Sequence, residues 1–305
     1  MNVQANAAGF FKIEVRKVNE DAPHTIIDWF PNLITNQGLN RLAVGATTLY
    51  CSVGSGNSTP VVTSTGLDNK IGSGVYRNSS IARGALATAP YYGWARQTYS
   101  FPVNTVVGNL NEVGIGWVSG ADNTSLFSRS LIKDENGNPI TLSIVADDLL
   151  TITYELRLYP TLTDTTGTID TGLGTHTYIS RAAKVTSGYW SGDFGEYGAM
   201  GYSSTAKTYP TDIGDIFNQP SGTESGYLGY IENKAQPYTA GNYYRDIALS
   251  FGVNSANHAA GIRSLAWLSN SGLGACQIQF DPPIPKTNLQ RFDLTLRVSW
   301  GRYTP

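Results

Sequence analysis

Charge is scarce in this chain. Only 14% of its 305 residues are charged, about half the usual share. The net charge of −2 gives no electrostatic case for nucleic acid. Methionine and cysteine occur twice each, histidine three times. Cys51 and Cys276 lie far apart, so no disulfide framework is expected and folding in a reducing cytoplasm is. His24, His176 and His258 each stand alone and read as loop histidines. No His-x3-His or Cys-x2-Cys spacing occurs, so no metal or other cofactor is expected. No run reaches about 18 apolar residues, and the first nine lack a basic, apolar leader pattern. Neither membrane insertion nor a signal peptide is expected. There is no G-x-S-x-G elbow, P-loop or G-x-G-x-x-G.

What is abundant is Gly (33), Tyr (18) and alternating strand patterns. Phe11 to Arg16 alternates apolar and charged residues, the signature of a half-buried strand. Ile152, Tyr154, Leu156 and Leu158 share one face of another, with Thr151, Thr153, Glu155 and Arg157 opposite. Phe292, Leu294, Leu296, Val298 and Trp300 repeat the pattern near the C-terminus. A single short helix is predicted near 35–44, capped by Thr35, with Leu39, Leu42 and Ala43 on one face and Gly45 ending it.

Two segments nearly repeat. Ser100-Phe101-Pro102-Val103-Asn104 recurs as Ser250-Phe251-Gly252-Val253-Asn254, each followed at the same spacing by Trp117 or Trp267. Tyr154-Glu155-Leu156-Arg157-Leu158 faces Leu294-Thr295-Leu296-Arg297-Val298. These matches predict an all-β chain of two tandem, duplicated β-sandwich-like domains with long loops, 1–165 and 166–305. The Thr/Gly-rich stretch 160–176 reads as the linker. Trp117 should superpose on Trp267 and Leu156 on Leu296, with both tryptophans in the cores.

Catalytic candidates are weak. Asp134-Glu135-Asn136-Gly137-Asn138 mimics the start of a calcium loop but departs from it at Pro139 and Val145, so it reads as a turn. Asp147-Asp148 and Asp193 with Glu196 are carboxylate pairs of the kind a glycosidase uses, and read as solvated loop acids. The stretch 186–244 holds nine of the 18 tyrosines. Tyr189, Trp190, Tyr197, Tyr202, Tyr209, Tyr227, Tyr230, Tyr243 and Tyr244 are the candidate contact residues. Three readings stay open for them: loops packed on their own domain, a subunit interface, or a sugar-binding surface.

Phe10-Phe11-Lys12, the run Asp28-Trp29-Phe30-Pro31-Asn32-Leu33-Ile34-Thr35-Asn36-Gln37-Gly38-Leu39, the turn Val53-Gly54-Ser55-Gly56 and the block Tyr154 to Pro160 resemble a family of tailed-bacteriophage virion proteins. Its members are commonly labelled tail fibre or minor tail proteins. The resemblance covers 9–160 well and the rest weakly, and carries no catalytic motif. It implies a non-enzymatic structural subunit of a phage tail: collar, fibre-attachment region, tail tip or fibre. Such a chain is made in the host cytoplasm, located in the virion, and partnered with itself and other tail or collar proteins in a ring or trimer. The alternative is a receptor- or glycan-binding tail protein whose partner is a host surface glycan. No heptads, collagen repeat or β-helix period support a long shaft.

Overall fold

The computed structural model describes residues 1–44, 50–76, 81–117, 124–190, 204–224, 226–228, 234–269 and 274–304. In chain order they form β1 (Asn2–Lys17), β2 (Thr25–Ile34), α1 (Asn36–Val44), β3 (Tyr50–Gly54), β4 (Lys70–Tyr76), β5 (Ala82–Leu86), β6 (Tyr92–Phe101), β7 (Gly108–Leu110), β8 (Glu112–Gly116), β9 (Ser128–Leu131), β10 (Leu142–Ile144) and β11 (Asp148–Pro160). The second half follows with β12 (Thr165–Asp170), β13 (Thr175–Ala182), α2 (Ser187–Trp190), β14 (Ser204–Tyr209), β15 (Gly226–Leu228), β16 (Lys234–Ala235), β17 (Tyr244–Phe251), β18 (Ile262–Ser269), β19 (Ala275–Ile284) and β20 (Phe292–Arg302). The all-β reading holds.

The first half closes on itself. Pairings run β1–β2–β9–β8–β3–β4–β6–β11 and back to β1. β2 and β4 make the corners, because each pairs in one layer along most of its length and in the other at its end. Closure covers most strand edges of this ring, leaving Asn2–Ala7 of β1 beyond the reach of β2. Its interior is filled by the alternating faces the sequence predicted: Phe11, Ile13 and Val15 from β1, and Ile152, Tyr154, Leu156 and Leu158 from β11, all buried. Each such side chain stabilises by roughly 1.5–3 kcal/mol relative to exposure.

α1 forms where expected. The Thr35 hydroxyl accepts the Gly38 N–H at 3.0 Å, satisfying an otherwise orphaned donor. Leu39, Leu42 and Ala43 face inward. Gly38 is required there, since a Cβ would stand 2.1 Å from the Phe127 carbonyl oxygen. Gly45, the expected terminator, lies outside the described residues.

The second half is an open sandwich. One layer is β12–β13–β19–β18–β14–β15. The other is β16–β17–β20, extended by Asn2–Ala7 of β1, which lies parallel to Arg297–Arg302. β1 is thus shared, with β20 on one edge near its start and β11 on the other. Among the described residues, nothing pairs with the outer edge of β12 or with that edge of β20 ahead of Arg297.

The halves follow one pairing plan: β6 beside β11 and β8 beside β9, then β17 beside β20 and β18 beside β19. Leu156 lies opposite Ala95 on β6, and Leu296 opposite Ile247 on β17. The expected linker changes. β11 ends at Pro160 and β12 starts at Thr165, so most of 160–176 is an edge hairpin with its turn at Thr171–Gly174. Its Thr-Gly-Thr-Ile run alternates too weakly to read as a strand, but pairing with β13 fixes it.

The two tryptophans differ. Trp267 is fully buried within β18, opposite Cys276. Trp117 lies just past the end of β8 and is half-buried. Beyond the strand it is covered by Arg41, whose guanidinium is 5.3 Å from the ring centroid. His176 is also corrected: it sits in β13, buried, its Nδ1 2.6 Å from the Pro282 carbonyl oxygen.

Candidate interaction surface

The outward faces of β1, β11 and β6 carry aromatic and arginine side chains in register. Phe10 lies across from Glu155, and Glu155 from Arg96; Arg157 lies across from Trp94. Strand alternation puts all of these on the solvent side. Glu155 is nevertheless fully buried, because its neighbours fold over it. Arg96 and Arg157 both donate to its carboxylate. Two guanidiniums against one carboxylate leave this cluster with a net positive charge.

The guanidiniums are in turn bracketed by rings. Arg96 lies 5.0 Å from the Trp29 centroid and 4.1 Å from that of Trp94. Arg157 lies 3.8 Å from Phe10 and 4.8 Å from Tyr92. Tyr92 packs on Tyr159 at 5.0 Å, and Tyr159 stacks on Tyr303 at 3.7 Å. Each cation–ring contact is worth about 0.5–2 kcal/mol depending on desolvation. Burial would lower the Arg157 pKa, but Glu155 and Tyr159 together outweigh it and hold the group above its ordinary value. Burial raises the Tyr159 pKa. The result is a pre-ordered patch of Trp, Tyr, Phe and Arg, the residue types that dominate protein–protein contact energy. It holds no nucleophile–base pair.

Reading the sequence alone missed this patch. Trp29 was noted only as part of a longer run, and Tyr92, Trp94 and Arg96 were not singled out. The available signal was Trp94-x-Arg96 and Glu155-x-Arg157-x-Tyr159, outward positions on two strands. Only their pairing shows that they meet.

The tyrosine-rich stretch is divided by the structure. Trp190 is fully buried, its indole N–H donating to the Ala183 carbonyl at 2.9 Å. Its backbone fills the space beside Gly93 of the first half, and its ring lies against Gly274 of the second. Tyr209 is buried as well, which raises its pKa. These two face inward and are not presented to another chain. Tyr189 is half-buried, near Lys184 at 5.8 Å. Tyr243 and Tyr244 are half-buried, and Arg297 lies 3.7 Å over the Tyr244 ring. Tyr227 belongs to β15, with its side chain outside the described set; Tyr197, Tyr202 and Tyr230 lie outside the described residues.

The remaining candidates hold structural positions. The Asp134 carboxylate accepts the N–H groups of Asn136 and Asn138, closing the turn, and its pKa is lowered by those bonds. Lys17 bridges Asp147 and Asp148 at 2.8 and 2.9 Å, and His24 lies 3.1 Å from Asp148. Asp193 and Glu196 lie outside the described residues. Burial pushes the Cys51 thiol well above its ordinary pKa and that of Cys276 up to about 12.

The chain matches no protein-family model, no curated protein and no solved structure.

Proposed function

We propose that this protein is a non-enzymatic structural subunit that works by assembling with other chains. The observation that carries the reading is the aromatic–arginine patch on the outer face of β1, β11 and β6. A buried carboxylate with two arginines, framed by four aromatic rings, is costly to build on a surface that stays in water. It suits the desolvated centre of a contact. The low surface charge supports the same reading. The resemblance of 9–160 to phage tail proteins supplies the setting: the virion, in a collar, fibre-attachment, tail-tip or fibre position, in a ring or trimer. Tandem duplication of one β unit accounts for the shared pairing plan of the halves and fits a subunit that meets neighbours twice.

The test is sedimentation of the purified chain, with and without Trp29→Ser and Trp94→Ser. A closed oligomer in the wild type, reduced to a monomer by the substitutions with the melting curve retained, supports the proposal. A wild type that stays monomeric up to about 100 µM, well above the range of stable interfaces, sinks self-assembly through this face.

A further inference from the structure

The pairing plan shared by the two halves shows where the second one stops short. In the first half, β1 pairs with β2, the neighbour of β9, and also with β11, which closes the ring. In the second half, β12 takes the place of β1, since it pairs with β13, the neighbour of β19. β20 takes the place of β11, beside β17. Yet β12 and β20 do not pair, and a seam is left between them.

One end of the seam is filled. Asn2–Ala7 lies along Arg297–Arg302, with the Thr161 N–H on the Gln4 carbonyl at 3.1 Å and the Ser180 hydroxyl on the Asn2 carbonyl at 3.2 Å. The other end, ahead of Arg297, is open. There Asp293, Leu294 and Thr295 of β20 and Ile169 and Asp170 of β12 border an opening of about 530 Å³. Among the described residues, no strand pairs with this edge of β20.

The backbone there is set for one more strand. The Arg297 N–H donates to the Met1 carbonyl at 2.9 Å, and the Trp300 N–H to the Tyr243 carbonyl at 2.8 Å. Odd-numbered residues of β20 thus turn their backbone groups toward β1, and even-numbered ones toward β17. Asp293 and Thr295 therefore aim their N–H and C=O groups into the seam. No proline or bulge blunts the edge from Phe292 to Leu296. Inward, the seam is apolar: Leu294 is buried and Ile169 half-buried. Its charges are already engaged. Asp293 takes Arg291 at 2.9 Å and the Ser250 hydroxyl, Arg297 is held by Asp246 at 2.8 Å, and Asp170 accepts the Gly172 N–H at 2.9 Å.

We propose that this edge takes one β-strand from a different protein: an extended, uncharged segment with apolar residues at every second position, which completes the second ring. An extended backbone supplies donors and acceptors at the spacing of Asp293 and Thr295. Its inward residues would lie between Leu294 and Ile169, where a charge would find no partner. The occupant continues the line that β1 begins on the same edge of β20. A second copy does not fit. With two such edges set antiparallel about Leu294, Arg297 of one would come opposite Arg291 of the other, a place its own β1 already holds. The proposal goes beyond the assembly reading, because it needs neither self-association nor the aromatic–arginine patch.

The test is fluorescence anisotropy of the full chain with a labelled peptide, acetyl-Lys-Thr-Val-Thr-Val-Thr-Lys-amide. It should bind with a Kd of about 1 mM or tighter. The same peptide with proline at its central threonine should bind about tenfold or more weakly. Thr295→Pro removes the edge donor and spares the bonds that Leu294 and Leu296 make to β17. It should weaken binding about tenfold or more, with the melting curve retained. Hydrogen exchange on the wild type needs no variant: the peptide should slow the Asp293 and Thr295 amides about tenfold or more. The proposal is overturned by no binding at about 5 mM peptide. Equal binding of the proline peptide, unchanged affinity in a folded Thr295→Pro chain, or unchanged exchange at the two amides overturns it too. So does sedimentation in which the wild type self-associates and Thr295→Pro does not, since the occupant is then a second copy.

Discussion

Glu112 is the residue whose change should cost most for the least alteration in shape. It is fully buried on β8 and its carboxylate accepts four hydrogen bonds. One oxygen takes the Gly56 and Asn69 N–H groups, each at 2.9 Å; the other takes the Asp68 N–H at 3.1 Å and Arg129 Nε at 2.9 Å. Arg129 is 2% exposed and also reaches Asp68 and Ser58. The pair therefore pins the 55–69 loop to the barrel. Glu112→Gln keeps the volume but turns one oxygen into an NH2 group, which must then face two donors. It also strips Arg129 of a buried countercharge. Breaking a buried pair on one side costs about 3–5 kcal/mol. The double change Glu112→Gln with Arg129→Met removes the stranded charge and should recover part of that loss. Urea unfolding gives the stability, and limited proteolysis between 55 and 69 reads the loop. A loss below about 1 kcal/mol, with the loop still resistant, would refute the pinning argument.

Three further outcomes are expected. Trp267→Ala should cost about 3–5 kcal/mol, as large-to-small core changes do, whereas Trp117→Ala, at the half-buried end of β8, should cost clearly less in the same unfolding assay; equal losses would contradict the difference in burial. The Cys276 pKa is raised by burial above its ordinary value of 9.0, to about 12, so its contribution is complete below about pH 9 and is lost as pH rises toward 12; Cys276→Ala should flatten that alkaline decline in melting temperature, and an unchanged slope counts against it. Gly38→Ala should destabilise despite the better helix propensity of alanine, because its Cβ would collide with the Phe127 carbonyl; thermal melting showing a gain would overturn that packing.

Legibility in the sequence followed side-chain size. β11 and β20 were readable because large apolar residues alternate with polar ones along their whole length. The first third of β1 was not, because its inward residues are Val3, Ala5 and Ala7 amid Asn, Gln and Gly. Small side chains give a weak periodic signal even where they are buried. Glu155 was read as a solvent-facing acid. Its burial depends on Arg96, 59 residues away, which no local pattern reveals. Trp190 and Tyr209 were grouped with the other candidate contact residues because composition counts rings without saying which way they point. The seam between β12 and β20 joins residues 169–170 and 293–295, and only the folded chain brings them together.

β1 also sets an order of events. By Pro160 the chain holds every strand of the first barrel, and β1 can pair with β2 and β11 at once. The edge of Asn2–Ala7 that faces β20 must wait for Arg297–Arg302. During synthesis, then, Asn2–Ala7 present a half-paired strand while some 140 more residues are added, about 7–28 s at ordinary rates of synthesis. The Ser299 hydroxyl bonded to the Asn2 side chain at 3.0 Å marks the closing of that interval. A C-terminal truncation ahead of β20 would prolong it indefinitely, leaving the N-terminal edge open to pair with another chain.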